Sequence, residues 1–326
     1  MKKSFFISGG TGSFAKKFVS LLIKKKLAKK IIIFSRDEYK QSVMKELSFV
    51  KSNQGIFRFY IGDVRDKSRL EWAITDDVDI VIHSAALKQV PTTEYNPFET
   101  VQTNIIGTQN LIEVCLSKNI DKTILISTDK AVSPINLYGS TKLTAEKLFI
   151  SANVFKGSKK NKFSVIRYGN VMGSRGSVIP IFLNQSKSLS NHFTVTDKNM
   201  TRFNISLTEA AEFVNFCISK MKGSEVFVPK LPSYRILDLV KAINSKKKIK
   251  YIGVRPGEKI HEELISSADS NKIFKKKNYF ILNFSSKLKN KSNKKIFKTY
   301  NSYNNSDYLS VKQIQETIKK NIRDFD

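Results

Sequence analysis

The sequence predicts an α/β protein with a doubly wound parallel sheet and a smaller α/β domain beside it. Short runs rich in Ile, Val and Phe alternate with longer helical patterns through the first half of the chain, as in parallel sheets with right-handed crossovers. A glycine-rich turn follows the first apolar run, and the regular alternation ends near Asn170. These three observations define the fold class that we expect.

The first half of the chain supplies six predicted strands and the helices between them. Runs that are short and apolar throughout are typical of buried parallel strands, and they occur at residues 4–8, 31–35, 57–62, 80–84, 123–127 and 163–168. Helical patterns lie between these runs, at residues 14–26, 38–50, 65–74, 98–117 and 137–153.

The second half is less regular but still mixed. It predicts helices at residues 178–186, 207–221 and 236–244, and strands at 193–196, 225–228 and 250–253. We therefore predict one domain at residues 1–170, to which residues 203–230 return. Residues 171–202 and 231–326 are predicted to form a second domain that caps the first.

The formal net charge of +29 suggests a nucleic-acid partner at first sight. The lysines, however, are spread along the whole chain in short runs beside Asn and Ser, and no helix-turn-helix, zinc-finger or RNA-binding motif occurs. We therefore predict solvated lysine surfaces and no specific nucleic-acid binding. A positive field would still speed the association of an anionic substrate.

The cysteines and the hydropathy of the chain exclude further classes of protein. Cys115 and Cys217 form no C-x-x-C pair, so a disulfide framework or a zinc site is not expected. No apolar run approaches the roughly 18–20 residues of a membrane span, and the N-terminus lacks the pattern of a signal peptide. We expect a cytoplasmic protein without a membrane partner.

The glycine-rich turn, GGTGSFA from Gly9, lies between the first predicted strand and the first predicted helix. Its pattern, G-x-x-G-x-x-A, is a variant of the dinucleotide fingerprint of Rossmann folds. Glycines permit a tight turn and a close approach to a pyrophosphate, whose charge lies at the helix N-terminus. The predicted cofactor contacts here are Gly9, Thr11, Gly12, Ser13 and Phe14.

The end of the second predicted strand carries four further cofactor candidates, Ser35, Arg36, Asp37 and Glu38. NAD sites usually place an acidic residue here for the ribose 2′-hydroxyl, whereas an arginine suits the 2′-phosphate of NADP. The Ser35–Arg36 pair favours NADP, and Asp37 keeps NAD as an alternative. After the third predicted strand, Asp63 offers a carboxylate to the adenine amine and Val64 an apolar side to its ring.

Tyr138 and Lys142 lie four residues apart, so on a helix they share one face. A nearby ammonium lowers the pKa of a phenol, and we expect Lys142 to do so for Tyr138. Tyr138 would then take a proton from a substrate hydroxyl during hydride transfer. Thr128, at the end of the preceding strand, adds a hydroxyl, and we predict catalytic roles for all three residues.

With these motifs in place, the chain resembles the extended short-chain dehydrogenases/reductases. Within that group it resembles the sugar-nucleotide 4,6-dehydratases, and most narrowly the inverting UDP-N-acetylglucosamine 4,6-dehydratases of pseudaminic acid biosynthesis. The matching stretches cover most of residues 4–265 and are GGTGSF from Gly9, FSRDEYKQS from Phe34, GDVRD from Gly62, AALKQVPTTEYNP from Ala85, TDKAVSPINLYGSTK from Thr128, RYGNVMGSRGSV from Arg167, MTRF from Met200 and RPGEK from Arg255.

Asp129 and Lys130 narrow the resemblance to one of two groups of 4,6-dehydratases. Retaining 4,6-dehydratases carry Thr-Asp-Glu at this point, whereas the inverting family carries Thr-Asp-Lys, as here. The resemblance implies that Lys130 is the base at C5 and Asp129 the acid for the departing C6 hydroxyl. A lysine acts as a base only if its pKa is depressed, and Asp129 needs the opposite shift. We expect both shifts.

The implied reaction is that of a hydro-lyase acting on UDP-N-acetylglucosamine. C4 is oxidised, water is lost across C5 and C6, hydride returns to C6, and C5 is reprotonated on the opposite face. The product would be UDP-2-acetamido-2,6-dideoxy-β-L-arabino-hex-4-ulose, for pseudaminic acid or a related surface glycan. The open alternatives are a bifunctional 4,6-dehydratase/5-epimerase, a UDP-sugar epimerase and a non-catalytic NADP-binding scaffold.

The resemblance implies further contacts. Ala85 and Lys88 would lie beside the nicotinamide, and Lys88 would also reach the substrate phosphate, unless it is a solvated loop residue. Asn170 is implied at the pyrophosphate, and Arg255 with Glu258 resembles a clamp for uridine diphosphate. The remaining substrate candidates are Arg175, Val178, Thr196 and Arg202.

A few residues keep a second interpretation. Asn104 either orders the active-site backbone or a water, or is an ordinary helix residue. His83 is expected in the core, His261 receives no role, and the histidines predict no metal site. Residues 303–305 are a further candidate for closing the pocket. The family commonly forms homo-oligomers, so we expect a dimer or a hexamer.

Overall fold

The computed structural model describes residues 1–174, 177–189, 191–284 and 299–321. The strands in these ranges are β1 (Lys3–Ser8), β2 (Ala28–Ser35), β3 (Phe57–Ile61), β4 (Ile80–His83), β5 (Lys122–Thr128), β6 (Lys162–Tyr168), β7 (Val171–Met172), β8 (His192–Val195), β9 (Thr201–Phe203), β10 (Ile205–Ser206), β11 (Glu225–Pro229), β12 (Ser233–Arg235), β13 (Lys248–Tyr251), β14 (Glu263–Ile265), β15 (Ile273–Lys275), β16 (Tyr279–Asn283) and β17 (Tyr300–Asn301).

The helices in the same ranges are α1 (Ser13–Lys24), α2 (Glu38–Lys45), α3 (Ser48–Lys51), α4 (Lys67–Ala73), α5 (Val90–Tyr95), α6 (Pro97–Val101), α7 (Gly107–Ser117), α8 (Leu137–Phe155), α9 (Val178–Lys187), α10 (Leu207–Lys220), α11 (Ile236–Asn244) and α12 (Val311–Lys320). A π-helical segment, Gln102–Ile106, joins α6 to α7. One of the 3₁₀ turns, Asp129–Ala131, directly follows β5.

Nine of the described strands form one sheet in the order β15-β16-β11-β6-β5-β4-β1-β2-β3. The neighbours from β3 to β11 pair in parallel, and β16 and β15 extend the sheet antiparallel. The strand order reverses between β1 and β4, and in such sheets ligands bind in the crevice at the carboxyl ends of the strands near the reversal. The predicted α/β, doubly wound parallel sheet is confirmed.

Sequence patterns located most elements of the first half, but two predicted helices are interrupted. The predicted helix at residues 38–50 divides into α2 and α3. Met44 and Val50 are both buried, and six residues apart they would lie on different faces of a continuous helix; the break allows both to face the core. The predicted helix at residues 98–117 contains the π-helical segment. Helix α5, with Pro91 in its first turn, was not predicted.

The tail after residue 231 does not belong to the cap alone, which corrects part of the predicted boundary. Strands β15 and β16 lie in the main sheet. Phe280 and Leu282 of β16, together with Leu264 and Ile265 of β14, are buried in the core of that sheet. Other parts of the predicted cap have a separate core formed by residues such as Ile179, Phe193, Leu239, Ile314 and Ile318.

One buried ion pair connects the helix that follows β5 to the sheet. Arg167 on β6 donates from Nη2 to Glu146 Oε2 at 2.6 Å and from Nε to Glu146 Oε1 at 3.1 Å, and both side chains are at most 4% exposed. Arg167 also donates from Nη1 to the Leu264 carbonyl at 2.9 Å. The guanidinium thus joins β6, α8 and β14.

We expect Arg167→Met to lower the free energy of unfolding by about 3–5 kcal/mol, because it leaves the Glu146 carboxylate buried without its cation. Urea titration measures the change. The double variant Arg167→Met/Glu146→Leu removes both charges and should recover most of the loss. Equal destabilisation of the single and double variants would contradict this account.

Candidate active site

A cavity of about 960 Å³ opens at the carboxyl ends of the central strands, between the sheet and the second core. Its walls include the glycine-rich turn, the turn after β4, the start of α8 and the segment around Pro256. The residues predicted for cofactor, catalysis and substrate therefore converge on one volume. Three predicted residues are exceptions. Glu38 is exposed and does not line the cavity, and Asp129 is buried behind the lining. Arg175 lies outside the described residues.

The glycine-rich turn packs directly against the turn after β4. Gly9 has a φ of +65°, and a Cβ there would lie 2.8 Å from the Ala85 nitrogen. Gly12 precedes α1 as its N-cap and offers no side-chain hydrogen bond, so the first amide groups of the helix are left for an anion. Gly9, Gly12 and Ala85 line the cavity, as do Thr11, Ser13 and Phe14.

The end of β2 presents positive charge to the cavity. Arg36 is half-exposed, with Nη1 3.4 Å from Asp63 Oδ2. Asp37 caps α2 by accepting from the Lys40 amide at 2.9 Å, and it also pairs with the Lys40 ammonium. Ser35 is held by Gln41 Nε2 at 3.1 Å. Arg36, Asp37 and Lys40 all line the cavity.

Asp63 is already bound to a second guanidinium. Arg65 Nε donates to Asp63 Oδ2 at 2.8 Å. Burial raises the pKa of Asp63, but the hydrogen bonds from Arg65 and the charge of Arg36 more than offset it, so the pKa is lowered. Asp63 is thus an ionised carboxylate at the edge of the cavity, and Val64 lies next to it in the lining.

Tyr138 lies in the first turn of α8, which Asn136 caps by accepting from the Gly139 amide at 2.7 Å. Burial raises the pKa of Tyr138 to about 12, although Lys130 and a hydrogen bond with Thr128 act in the opposite direction. The expected lowering by Lys142 is wrong for this structure. Lys142 Nζ instead donates to the Ile126 carbonyl at 2.8 Å, and burial lowers its own pKa to about 8.

Lys130 lies between two carboxylates. Its Nζ is 3.2 Å from Asp129 Oδ1 and 3.0 Å from Glu262 Oε1, and the two acids are 1% and 2% exposed. Nζ also donates to Asn170 Oδ1 at 3.4 Å. Thr128 Oγ1 donates to Asp129 Oδ1 at 2.9 Å and accepts from the Lys130 amide at 3.3 Å.

Two pKa shifts were expected in this cluster, one for Lys130 and one for Asp129, and the structure agrees with only one of them. Burial lowers the pKa of Lys130, but Asp129 and Glu262 together reverse that effect and raise it; the expected depression is wrong for this structure. Burial and the charge of Glu262 raise the pKa of Asp129, which is the expected direction. Glu262 was not predicted, because nothing in its local sequence distinguishes it from the neighbouring Glu263.

Arg202 connects this cluster to the cap. Its Nη2 lies 3.5 Å from Glu258 Oε1 and its Nε 3.8 Å from Glu262 Oε1, and its side chain is 6% exposed. Glu258 Oε2 is buried without a hydrogen-bond partner in the described part of the chain. Arg202 and Glu258 line the cavity together with the other predicted substrate residues, Lys88, Asn170, Val178, Thr196 and Arg255.

Asn104 holds the loop after β4. Its Oδ1 accepts from the Leu87 amide at 2.8 Å, and its Nδ2 donates to the Leu87 carbonyl at 2.9 Å and to Thr141 Oγ1 at 3.0 Å. This agrees with the interpretation that it orders the active-site backbone. It lies in the π-helical segment, and such segments often occur at functional sites.

The histidines take structural positions. His83 contacts Ser8 Oγ at 2.7 Å and Thr108 Oγ1 at 3.0 Å, and burial lowers its pKa to about 3, so it is a neutral core residue as expected. His261 contacts Thr201 Oγ1 at 2.9 Å and the ring of Tyr303 at 4.6 Å. Tyr303 does not line the main cavity and lies at a separate cleft.

No helix in the described ranges is long and apolar enough to cross a membrane.

Comparison with known proteins identifies close relatives. Residues 5–284 match the family described as "Polysaccharide biosynthesis protein". The chain is 44% identical over 330 residues to the UDP-N-acetylglucosamine 4,6-dehydratase (inverting) of Campylobacter jejuni, covering 97% of each chain. It is 43% identical to a UDP-glucose 4-epimerase of Rickettsia bellii, covering 85% of this chain and 82% of that one.

The structural comparison agrees with the sequence comparison. The X-ray structure of Pen from Bacillus thuringiensis superposes with a TM-score of 0.89 at 37% identity and covers 98% of both chains. The 98% coverage extends beyond residue 231, where the sequence patterns were least informative.

Gly139 allows α8 to approach the 3₁₀ turn Asp129–Ala131. A Cβ at this position would lie 2.2 Å from the Lys130 carbonyl oxygen. Alanine normally stabilises a helix interior over glycine by about 1 kcal/mol, but here we expect Gly139→Ala to displace Lys130 and lower kcat by about 100-fold. Gly55→Ala, which meets no atom within 4 Å, is the matched control. Wild-type turnover by Gly139→Ala would contradict the required close approach.

Proposed function

The chain belongs to the polysaccharide biosynthesis protein family, and on that premise we propose that it is an NADP-dependent UDP-N-acetylglucosamine 4,6-dehydratase that inverts C5. One observation carries the proposal: Asp129 and Lys130 contact each other at the carboxyl end of β5, with Tyr138 beside them. An epimerase needs one acid–base residue at O4. Loss of water across C5 and C6 needs a further acid and a further base, which this pair supplies.

The cofactor site favours NADP over NAD. An acidic residue after β2 would repel a 2′-phosphate, but Asp37 is paired with Lys40 and caps α2. Arg36 remains half-exposed at the cavity and offers a guanidinium fork to a phosphate. Gly9, without a Cβ, and the open N-terminus of α1 suit the pyrophosphate.

In the proposed mechanism, bound NADP supplies a hydride acceptor for C4 and, once reduced, a hydride donor for C6. Tyr138, in its phenolate form, takes the proton from O4. Lys130 takes the proton from C5, which the 4-ketone acidifies, and Asp129 protonates the departing C6 hydroxyl. Lys142 is held by the Ile126 carbonyl and orients the ribose of the cofactor. The buried position of Asp129 keeps its acid form available.

The nucleotide half of the substrate would bind towards the cap. Arg255 and Lys88 offer cations to the diphosphate, and Glu258 offers a carboxylate oxygen to a hydroxyl group. Val178 and Thr196 also line the cavity. We propose that the product serves pseudaminic acid or a related surface glycan, and that the enzyme is a cytoplasmic homo-oligomer.

A UDP-sugar 4-epimerase is the second candidate, because relatives of about the same identity carry the name UDP-glucose 4-epimerase. The two activities differ at C6. We expect UDP-N-acetylglucosamine in D₂O to give a 6-deoxy-4-keto product with inverted C5 and deuterium at C5, measured by NMR. A product that keeps its C6 hydroxyl would exclude the dehydratase.

Two variants separate the steps of the proposed reaction. Lys130→Ala should abolish dehydration but retain reduction of bound cofactor, followed by absorbance at 340 nm, because it leaves Tyr138 in place. Tyr138→Phe should stop cofactor reduction itself. Full dehydratase turnover by Lys130→Ala would show that another group is the base at C5.

The preference for NADP depends on Arg36. We expect Arg36→Gln to raise the Kd for NADP by about 10- to 100-fold, the effect of one hydrogen bond to a charged group, with little change for NAD. Isothermal titration calorimetry measures both constants. Lys24→Gln, at the far end of α1, controls for the lost positive charge. Equal weakening of NAD and NADP would contradict a 2′-phosphate contact.

A further inference from the structure

Glu262 is the partner of Lys130 that the mechanism above does not use. Its Oε1 lies 3.0 Å from Lys130 Nζ and its side chain is 2% exposed. Its Oε2 is buried and has no hydrogen-bond partner in the described part of the chain. The residue lines the cavity from the cap side, between the Pro256–Gly257 turn and β14. A buried carboxylate in contact with a catalytic lysine needs an explanation beyond packing.

Glu262, Lys130 and Asp129 form one cluster with a shared charge. With both acids ionised and the lysine protonated, the three groups carry −1. The other charged and titratable groups that act on them are Arg202 from β9, Lys259, Tyr138 from α8 and Tyr234 from β12. Glu258 contacts Arg202 in turn. Lys130 is the one cation of the cluster and contacts both acids directly.

We propose that Glu262 is a positioning residue that keeps Asp129 and Lys130 as one proton-sharing pair. Moving a proton from Lys130 Nζ to Asp129 Oδ1 breaks an N–H bond, forms an O–H bond and leaves the cluster at −1. That single transfer produces both the neutral amine that takes the C5 proton and the acid that protonates the C6 hydroxyl. Loss of water then returns Lys130 to the ammonium and Asp129 to the carboxylate.

Glu262 serves this exchange because it remains ionised throughout. Burial raises its pKa, but Lys130 and Arg202 more than offset that effect and lower it. Its negative charge in turn raises the pKa values of both Asp129 and Lys130, so the pair retains the proton that it shares. Its Oε1 also accepts a hydrogen bond from Lys130 after the amine has lost a proton, so the base keeps its orientation.

The inference rests on the proposed dehydratase activity, and Glu262→Gln tests it. We expect kcat for dehydration to fall about 10- to 100-fold, the effect of one hydrogen bond to a charged group. Single-turnover reduction of the cofactor, which depends on Tyr138, should remain. Because a negative charge is lost, both macroscopic pKa values of the Asp129–Lys130 pair should fall, so both limbs of the kcat–pH profile should move to lower pH.

Two further variants make the result specific. Glu262→Asp keeps the charge, so its pH profile should stay at the wild-type position even if kcat is lower. Glu263→Gln, whose side chain accepts from Ser133 Oγ at 2.8 Å, should resemble the wild type in both respects. An unmoved pH profile for Glu262→Gln, or an equal loss of cofactor reduction, overturns the inference. Absence of dehydrated product from the wild type is instead the failure of the proposed function.

Discussion

The burial of charged side chains is the constraint on which the proposed active site depends. An isolated ion in the interior is strongly destabilising unless partners satisfy it. Asp129 and Glu262 are almost completely buried, and Lys130 lies between them. Each group tolerates burial only because the others are there, so the position of any one of them fixes the other two. The arrangement that the proposed reaction needs is therefore also the arrangement that stabilises these buried charges.

The surrounding fold can be understood as the means of bringing these partners together. Strand β5 ends at Thr128 and delivers Asp129 and Lys130 in a single 3₁₀ turn. Helix α8 comes close enough to present Tyr138 because Gly139 has no side chain to obstruct it. The cap brings Arg202 and Glu262. Arg167, which is paired with Glu146 on α8, connects the sheet to β14. Each contribution comes from a different element, and the cavity is where they meet.

Sequence reasoning succeeded where function depends on neighbours in the chain. The turn from Gly9, the spacing of Tyr138 and Lys142, and the Asp129–Lys130 pair are local patterns, and the structure brings all of them to one site. Sequence reasoning failed where a residue's partner lies far away along the chain. The pKa of Lys130 was expected to fall because burial could be anticipated but Glu262, 132 residues later, could not. In the same way, nothing local to Lys142 reveals that its ammonium binds the Ile126 carbonyl, and nothing in the lysine-rich tail reveals that β15 and β16 complete the sheet.

The distance along the chain between Lys130 and Glu262 has a consequence for how the molecule is made. The glycine-rich turn, the end of β2 and the start of α8 all lie within the first half, so the residues of the proposed dinucleotide site are synthesised before those of the cap. The acid that holds Lys130 emerges more than a hundred residues later. During synthesis the chain therefore passes through a stage in which the residues of the proposed cofactor site are present but the carboxylate that contacts Lys130 from the cap is not. The order of residues along the chain thus places the proposed cofactor site early in synthesis and the completion of the Lys130 cluster late.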